Sequence, residues 1–393
     1  MAPDREMAVI GAGIGGLSFA ALYAESHRPL VVYEAADRLD PAGAALAIAP
    51  NAAAVLRKMG VADALFAQGS RIDRYRFVRQ DGRILTQFSL KNVQTAWKEA
   101  AWCVPRAAVQ AVLLEAVRQY STVDLRYGYR LTAVRASSHG TGFALNWANR
   151  SSSTAQIVIG ADGLHSVVAA DINRRSPLEY QGMQAFRGVA DYDLPEELQH
   201  VMSEVWGNGY AFGYSPMGPG KVYWYATRPA DATDCPQDFL QTLQHLFALW
   251  PDPVAALIAA TPAAAVLWHP LYFYRHPRYL TGSGRIALVG DAAHAMTPNL
   301  GQGACQAIMD GWVLQHAWQQ EREAAAAFRL YERMRRADAV RIARLSHLAG
   351  WITHGQGLRA ALRNKGIAAL PNEWLSWGAR YAIGRPETAM LPR

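Results

Sequence analysis

Short apolar runs alternate with helix-like segments along the chain, and this alternation predicts its main elements. Met7–Ile10 and Leu30–Tyr33 contain almost no polar side chains, which is typical of strands buried on both faces of a sheet. Residues 17–25 between them favour a helix, and the apolar runs at 156–160 and 285–289 each lead into a helical start. The order of strand, loop, helix and strand predicts an α/β fold with a Rossmann-like sheet.

A glycine-rich loop, GAGIGG, joins the first strand to the first helix. Its glycines fill the three positions of the GxGxxG pattern. In that pattern the first glycine permits a sharp turn, the second lets the backbone approach a diphosphate, and the third lets helix pack against strand. A tight turn without a ligand is the alternative. Because strands flank the loop on both sides, dinucleotide binding is favoured, and the expected contacts are Gly11, Gly13, Ile14, Gly15 and Gly16.

Glu34 follows the second strand, 23 residues after Gly11. An acidic residue at about this separation accepts hydrogen bonds from the ribose hydroxyls of adenosine. Its negative charge would repel a 2′-phosphate, so the tightly held nucleotide is expected to be NAD or FAD. The loop alone leaves that choice open.

Two later strands end in an aspartate beside small residues. The first continues as Gly160-Ala161-Asp162-Gly163 and the second as Gly290-Asp291. An aspartate in such a place can accept a hydrogen bond from a ribityl hydroxyl, while glycine and alanine permit close approach. The alternative is that each aspartate caps the helix that follows it. A simple NAD dehydrogenase has no reason to contain both motifs in this order, so together they favour FAD.

A loop after Asp291 carries Pro298 and then Gly301-Gln302-Gly303, which opens a helix predicted from about Ala304. A helix start with glycines presents unpaired backbone N–H groups that a ligand can approach closely.

Composition narrows the class of protein. With 51% hydrophobic and 18% charged residues, the chain is typical of globular proteins. Much of the basic excess behind the formal charge of +7 lies at 332–345, where helical spacing predicts a solvated helix face and not a nucleic-acid surface. Three separated cysteines, Cys103, Cys235 and Cys305, indicate neither a disulfide framework nor a metal site. We expect no signal peptide or membrane span, and a cytoplasmic protein.

The combined motifs resemble those of the class A, single-component FAD-dependent aromatic monooxygenases, the para-hydroxybenzoate hydroxylase-like family. The resemblance rests on the GxGxxG loop with Glu34, the Asp162 motif and the stretch 290–303, and it extends to about residue 350. Arg106 matches the arginine that the family places at a helix start beside the flavin. Residues 204–229 are similar to the substrate-domain hairpin of bacterial members that act on N-heteroaromatic rings, notably 2-alkyl-4-quinolone and urate hydroxylases.

This resemblance implies a tightly bound FAD, a transient NADH or NADPH, and dioxygen, with oxygen delivered through a hydroperoxyflavin. Backbone N–H groups at a helix start can stabilise negative charge on the flavin, so the implied catalytic residues are Pro298, Gly301, Gln302 and Gly303. The absence of a second GxGxxG after a strand agrees with transient nicotinamide docking. His294 is expected to be structural. Beyond the first loop, the implied cofactor contacts are Glu34, Arg106, Asp162, Gly163, Gly290, Asp291, Pro298, Gly301 and Gly303.

A hairpin predicted over 209–227 supplies the candidate substrate pocket. Its side chains alternate between the two faces, and one aromatic face is expected to line a flat apolar slot beside the flavin, with sheet core as the alternative. An arginine earlier in the chain, in the stretch AFRGVAD, could meet an anionic oxygen of the substrate or form a surface ion pair. Urate-type members have arginine where this chain has Tyr210-Ala211, which favours a larger, more apolar ring. The candidates are Arg187, Tyr210, Phe212, Tyr214, Tyr223 and Tyr225.

The expected FAD-binding domain is discontinuous and comprises residues 1–70, 103–172 and 281–345. An inserted mixed β-sheet from 71–102 and 173–280 is expected to cover the flavin and bind the substrate. Residues 346–393 are expected to form one or two helices that pack across both domains and bury their tryptophans.

The sequence therefore predicts an NAD(P)H-consuming FAD monooxygenase, monomeric or homodimeric, that hydroxylates an aromatic or N-heteroaromatic small molecule. An epoxidase or antibiotic-modifying oxygenase with the same cofactor stays open, as does a non-catalytic flavin-binding module.

Overall fold

The computed structural model describes residues 7–38, 44–137, 142–172, 177–276 and 284–384. Residues 1–6 and 385–393, which the sequence analysis assigned to the FAD-binding domain and the C-terminal segment, lie outside this description. Two sheets of very different pairing organise the chain.

The first sheet is parallel. Its five strands, numbered in chain order with all others, are β1 (Met7–Ile10), β2 (Leu30–Tyr33), β8 (Val123–Arg126), β12 (Ile157–Gly160) and β18 (Ile286–Leu288). They lie in the order β18-β12-β1-β2-β8, which confirms the predicted Rossmann-like arrangement. Because parallel strands end at the same sheet edge, the glycine loop, the Asp162 motif and the Asp291 motif come together beyond β1, β12 and β18.

The second sheet is mixed and has seven strands. It consists of β5 (Arg74–Arg79), β6 (Ile84–Ser89), β13 (Leu178–Asp191), β14 (Val201–Trp206), β15 (Ala211–Pro216), β16 (Lys221–Pro229) and β17 (Leu267–Tyr274). The order is β17-β13-β16-β15-β14-β5-β6, and only the β14–β5 pair is parallel. Its strands come from both of the segments, 71–102 and 173–280, that were expected to form one inserted sheet. We call this seven-stranded sheet the substrate sheet. The exact domain limits stay a prediction.

Two small sheets and the helices complete the fold. The small sheets comprise β3 (Ala45–Ile48), β4 (Ser70–Ile72) and β7 (Ala101–Pro105), and β9 (Leu131–Ala136), β10 (Phe143–Trp147) and β11 (Ser153–Ala155). The helices are α1 (Ile14–Ala24), α2 (Pro50–Lys58), α3 (Ala62–Phe66), α4 (Lys91–Trp97), α5 (Arg106–Arg118), α6 (Val167–Ile172), α7 (Phe239–Phe247), α8 (Val254–Ala259), α9 (Asp291–His294), α10 (Gly303–Gln320), α11 (Ala324–Thr353), α12 (Leu358–Ala369) and α13 (Asn372–Ile383).

Helices α1 and α10 pack against each other at backbone distance. A Cβ on Gly311 of α10 would lie 2.8 Å from the backbone nitrogen of Phe19 in α1. Only glycine allows this approach, and it brings the start of α10 beside the glycine loop. The sequence did not single out Gly311.

The C-terminal helices leave their tryptophans in solvent, so the prediction that these residues are buried is wrong. Trp351, Trp374 and Trp377 are 58%, 68% and 66% exposed. The helices bury other positions instead, among them Ser376, and Trp377 stacks on the half-exposed Tyr381. Among the helices that the structure describes, none combines the length and apolar character that crossing a membrane requires.

The basic stretch 332–345 lies within α11, and the prediction that its arginines form a solvated face is wrong for Arg335. This residue is buried, and its Nε donates to Asp310 Oδ1 at 2.8 Å while Nη2 donates to Gln306 Oε1 at 2.6 Å. A buried guanidinium needs such partners because its desolvation is costly. The charge of Arg335 is therefore part of a buried network between α10 and α11.

Asp310 is the hub of this buried cluster. It also accepts a 2.8 Å hydrogen bond from the backbone N–H of Gly290, and His294 Nε2 lies 2.5 Å from its Oδ2. Burial alone would raise the pKa of Asp310, but His294, Arg335 and the Gly290 N–H together hold it below its usual value. His294 thus has protein partners within the core, in keeping with the structural role predicted for it.

We predict that Asp310→Ala lowers the free energy of unfolding by about 3–5 kcal/mol, because the buried Arg335 would lose its carboxylate partner. The control is Glu332→Ala, which removes a surface pair with Arg336 and should cost less than about 1 kcal/mol. Urea unfolding followed by circular dichroism measures both. Folding lowers the pKa of Asp310, so its stabilising contribution to the free energy of unfolding is fully present above the pKa that it has in the unfolded protein. This contribution is lost as the pH falls through the lower pKa of the folded protein. Equal unfolding midpoints for the two variants would contradict the account.

Candidate active site

The first and third glycines of the loop are required by the protein's own backbone. Gly11 has φ of +104°, and a Cβ there would lie 2.4 Å from the carbonyl oxygen of Ala161. A Cβ on Gly16 would lie 2.0 Å from the carbonyl oxygen of Gly11. These two residues hold α1 against β1 and β12 and therefore place the helix start at the sheet edge.

Gly13 has a different surrounding. A Cβ there would meet no atom within 4 Å, and its backbone is extended, so the fold itself does not need glycine at this position. Gly13 is the N-cap of α1, no side chain caps that end, and its first turn has no acidic residue. The free space and the unpaired N–H groups from Ile14 and Gly15 onward fit a diphosphate, as the resemblance implies.

Glu34 is held at the end of β2 by two backbone groups. Its Oε2 accepts from the Ala12 N–H at 2.8 Å and its Oε1 from the Ala36 N–H at 2.9 Å. The carboxylate is thereby fixed beside the glycine loop, with lone pairs left for the ribose hydroxyls that the sequence predicts as its partners.

Asp162 caps the helix that follows it. Its carboxylate accepts from Ser166 Oγ at 2.5 Å and from the N–H groups of Val167 and Val168 at 2.7 and 3.1 Å. This is the capping alternative that the sequence left open. The neighbouring Gly163 has no atom within 4 Å of a virtual Cβ, so free space adjoins the loop there.

Asp291 begins α9 at the end of β18 and remains exposed. Within the described residues, no side chain donates a hydrogen bond to its carboxylate. Surrounding protein atoms raise its pKa, while the charges of His294, Arg106 and Arg187 act in the opposite direction. Arg106, exposed at the start of α5, and Arg187 of the substrate sheet thus both lie near this loop. Asp291 is therefore available to a ligand in the space between the two sheets.

The start of α10 adjoins the same space. Pro298 opens a 3-10 turn and is exposed, and Gly301, with φ of +62°, ends it. The buried side chain of Gln302 accepts from Asn51 Nδ2 at 3.2 Å and from Gln306 Nε2 at 3.0 Å. Gly303 is the first residue of α10, with no side-chain cap before it and no atom within 4 Å of a virtual Cβ. The unpaired N–H groups of this helix start are accessible.

The substrate sheet separates the predicted pocket residues into two groups. Phe212 and Tyr214 pair with Ala226 and Trp224, and all four are buried in the core beneath α7 and α8. Tyr210, just before β15, packs against the same core. This is the sheet-core alternative, and the pocket proposed below does not include these three candidates.

The other group lies on the opposite face of the sheet. Tyr225 pairs with Arg187, and Tyr223, two residues earlier, shares its face and lies close enough to Arg187 for that charge to affect its pKa. Burial raises the pKa of Tyr223 to about 12, so its hydroxyl stays protonated. The charge of Arg187 acts on Asp291, so this face of the sheet lies toward the Asp291 loop.

Sequence reasoning missed several residues that shape the site. Tyr75 of β5 and Glu204 of β14 lie on the Tyr225 face, where the period-two alternation of MSEVW could have indicated Glu204. Asp310 and Arg335 hold the Gly290 loop in place from its buried side. No local sequence pattern predicts this pair, because the two residues belong to different helices.

Fold and site together define a dinucleotide-binding oxidoreductase whose second sheet lies over the cofactor edge of the first. The chain belongs to the family described as FAD binding domain, whose model matches residues 4–346. The predicted family, the α/β fold and FAD as the cofactor are thereby confirmed, and the chain is a flavoprotein monooxygenase by its relatives.

Two relatives and one solved structure illustrate the similarity. The aurachin C monooxygenase/isomerase of Stigmatella aurantiaca is 31% identical over 83% of this chain and 84% of its own length. The 6-hydroxynicotinate 3-monooxygenase of Bordetella bronchiseptica is 33% identical over 88% and 91%. The crystal structure of Klebsiella pneumoniae HpxO complexed with FAD and uric acid has 27% identity and a TM-score of 0.86, covering 96% of each chain.

We predict that Gly13→Ala weakens FAD binding about tenfold or more without unfolding the protein, because the added methyl group enters space that the fold leaves free. FAD titration and thermal unfolding of the cofactor-free protein measure the two effects. The contrasting variant is Gly16→Ala, whose Cβ would overlap the Gly11 carbonyl and which should destabilise the cofactor-free protein itself. Unchanged FAD affinity in Gly13→Ala would contradict the assignment.

Asp291→Ala should also lower FAD retention, because the carboxylate has no described protein donor to satisfy. Flavin absorbance after gel filtration measures the retained cofactor. Asp191→Ala, which removes an exposed partner of Lys221, is the control and should purify with as much flavin as the unmodified protein. If Asp291→Ala retained equal flavin, the residue would have no part in holding the cofactor.

Proposed function

We propose that this chain is an NAD(P)H-consuming FAD monooxygenase that hydroxylates a small aromatic or N-heteroaromatic molecule. The observation that carries the proposal is one space bordered by three features. They are the accessible start of α10, the Asp291 loop, and a sheet face that combines Arg187 with Tyr223 and Tyr225.

FAD fits the residues of this space together with the adjoining glycine loop and the end of β2. Gly13 and the uncapped start of α1 would hold the diphosphate, Glu34 the adenosine ribose, and Asp291 the ribityl chain. The reduced flavin, when bound, supplies the oxygen-activating chemistry. Its ring would lie between the start of α10 and the Tyr223–Tyr225 face, because the diphosphate and ribityl contacts lead there.

The start of α10 would stabilise negative charge. The N–H groups of Gly303 and the residues after it have no side-chain cap, and the helix dipole adds partial positive charge at this end. Gln302 contributes by position, since its side chain is bonded to Asn51 and Gln306 and holds the helix start in place. Pro298 would shape the edge that faces the substrate.

The substrate would lie against the aromatic face of the substrate sheet. Tyr223 and Tyr225 offer flat apolar surface, and Arg187 offers a positive charge for an oxygen of the ring. The names of the relatives and of the HpxO complex include 6-hydroxynicotinate and uric acid, both N-heteroaromatic, which supports a substrate of this class.

Dioxygen and a transient nicotinamide complete the proposal. The chain has a single GxGxxG loop after a strand, so NADH or NADPH would dock without a Rossmann site of its own. A monomer or homodimer and a cytoplasmic location stay predictions.

The test is NADH and NADPH oxidation by the FAD-loaded protein with a panel of quinolones, phenols and purines, under isotopically labelled dioxygen. At least one aromatic compound should stimulate oxidation and yield a product that contains one labelled oxygen atom. Glu332→Ala, far from the cofactor loops in sequence and paired only at the surface, should behave as the unmodified protein. Oxidation that no aromatic compound stimulates would indicate a flavin-binding module without turnover and would contradict the proposal.

A further inference from the structure

One row of residues crosses the substrate sheet on the face toward the cofactor loops. Glu204 on β14 pairs with Gly213 on β15, Gly213 pairs with Tyr225 on β16, and Tyr225 pairs with Arg187 on β13. Directly paired residues point to the same face of a sheet, so these four form a line perpendicular to the strands.

Gly213 allows the Tyr225 side chain to lie flat along this row. A Cβ on Gly213 would be 2.2 Å from Tyr225 Cε1 and Cζ and 2.5 Å from its hydroxyl oxygen. The phenol ring therefore crosses over Gly213 toward β14, and its hydroxyl lies close enough to the Glu204 carboxyl to influence the pKa of that group. Any other residue at position 213 would displace the ring.

This pair borders open space, in contrast to the other face of the same strands. Glu204, Tyr225 and Arg187 each keep part of their surface accessible, whereas Phe212 and Trp224 on the opposite face are fully buried. Their partial exposure distinguishes the Glu204–Tyr225 pair from the sheet core on the opposite face.

The charges around Glu204 make it an acceptor that responds to pH near neutrality. Burial raises its pKa to about 7, while the nearby Trp206 and Tyr225 side chains and the charge of Arg363 on α12 act in the opposite direction. Tyr75 on β5 is the other titratable neighbour, and its pKa is raised by burial and by Glu204, so it stays neutral.

We propose that Glu204 and Tyr225 bind a hydrogen-bond donor of the substrate ring, an N–H or O–H group, while Arg187 binds an oxygen at the opposite edge. This rests on the proposed function and narrows its substrate class to planar rings with a donor and an oxygen on opposite sides. When the Tyr225 hydroxyl donates to an ionised Glu204, the phenolic oxygen and the second carboxylate oxygen remain as acceptors. The Cα atoms of Glu204 and Arg187 are three strands, about 14 Å, apart, which leaves room for a fused bicyclic ring between the side chains.

The test compares 4-quinolone with 1-methyl-4-quinolone, which lacks the ring N–H, as ligands of the FAD-loaded protein. Perturbation of the flavin absorbance gives their dissociation constants. The unmodified protein should bind the N–H compound about 10- to 100-fold more tightly, the range expected for a hydrogen bond to a charged group. The preference should increase as pH rises through about 7, because Glu204 then becomes ionised.

Three variants isolate the pair. Glu204→Gln and Tyr225→Phe should lose most of the preference for the N–H compound, and Glu204→Gln should also lose its pH dependence. Gly213→Ala should resemble Tyr225→Phe, because its methyl group displaces the ring. The control Glu179→Gln makes the same chemical change at a partly exposed glutamate of β13 that pairs with Arg275, and it should keep the full preference.

Equal affinity for the two quinolones, binding of neither, or an unchanged preference in Glu204→Gln would overturn this inference. The proposed function would survive that result if phenols or purines still stimulated NAD(P)H oxidation. The proposed function itself fails if no aromatic compound stimulates NAD(P)H oxidation.

Discussion

The site depends on one buried carboxylate. Asp310 accepts hydrogen bonds from the Gly290 N–H and from Arg335, and it lies 2.5 Å from His294, all within the core. A buried charge without partners is costly, so these groups are confined to one arrangement. The same carboxylate therefore fixes the end of β18, the start of α9 and the long helix α11 relative to α10.

That constraint extends to both sides of the proposed flavin position. From Arg335 the hydrogen bonds continue through Gln306 to Gln302, the N-cap of α10, and then to Asn51 of α2. The Asp291 loop and the α10 start are thus held by one connected network. Facing them, the substrate sheet presents a row from Glu204 to Arg187, whose register is fixed by strand pairing. The proposed cofactor contacts and substrate contacts consequently come from separate sheets. The first set is held by the hydrogen-bond network and the second by strand pairing.

Local patterns in the sequence were sufficient to predict the first strands of the parallel sheet and the glycine loop. The apolar runs gave β1 and β2 with the observed bounds, and the glycine spacing located the loop. Long-range contacts decided the rest. Asp162 caps α6. The sequence could not decide between this role and a ligand contact, because an aspartate at the end of a strand suits both. Which face of β15 is core depends on α7 and α8, so Phe212 could not be assigned from alternation alone. Arg335 resembled its exposed neighbours because its partner lies 25 residues away on another helix.

The central claim is that FAD lies extended from the glycine loop to the substrate sheet, with its ring between them. A crystal structure of the protein with FAD tests this most directly. We expect the ribose beside Glu34, the diphosphate at the start of α1, and the ring between Gly303 and the Tyr223–Tyr225 face. Crystals grown with excess FAD that contain no flavin, or a flavin whose ring lies outside this space, would contradict the account.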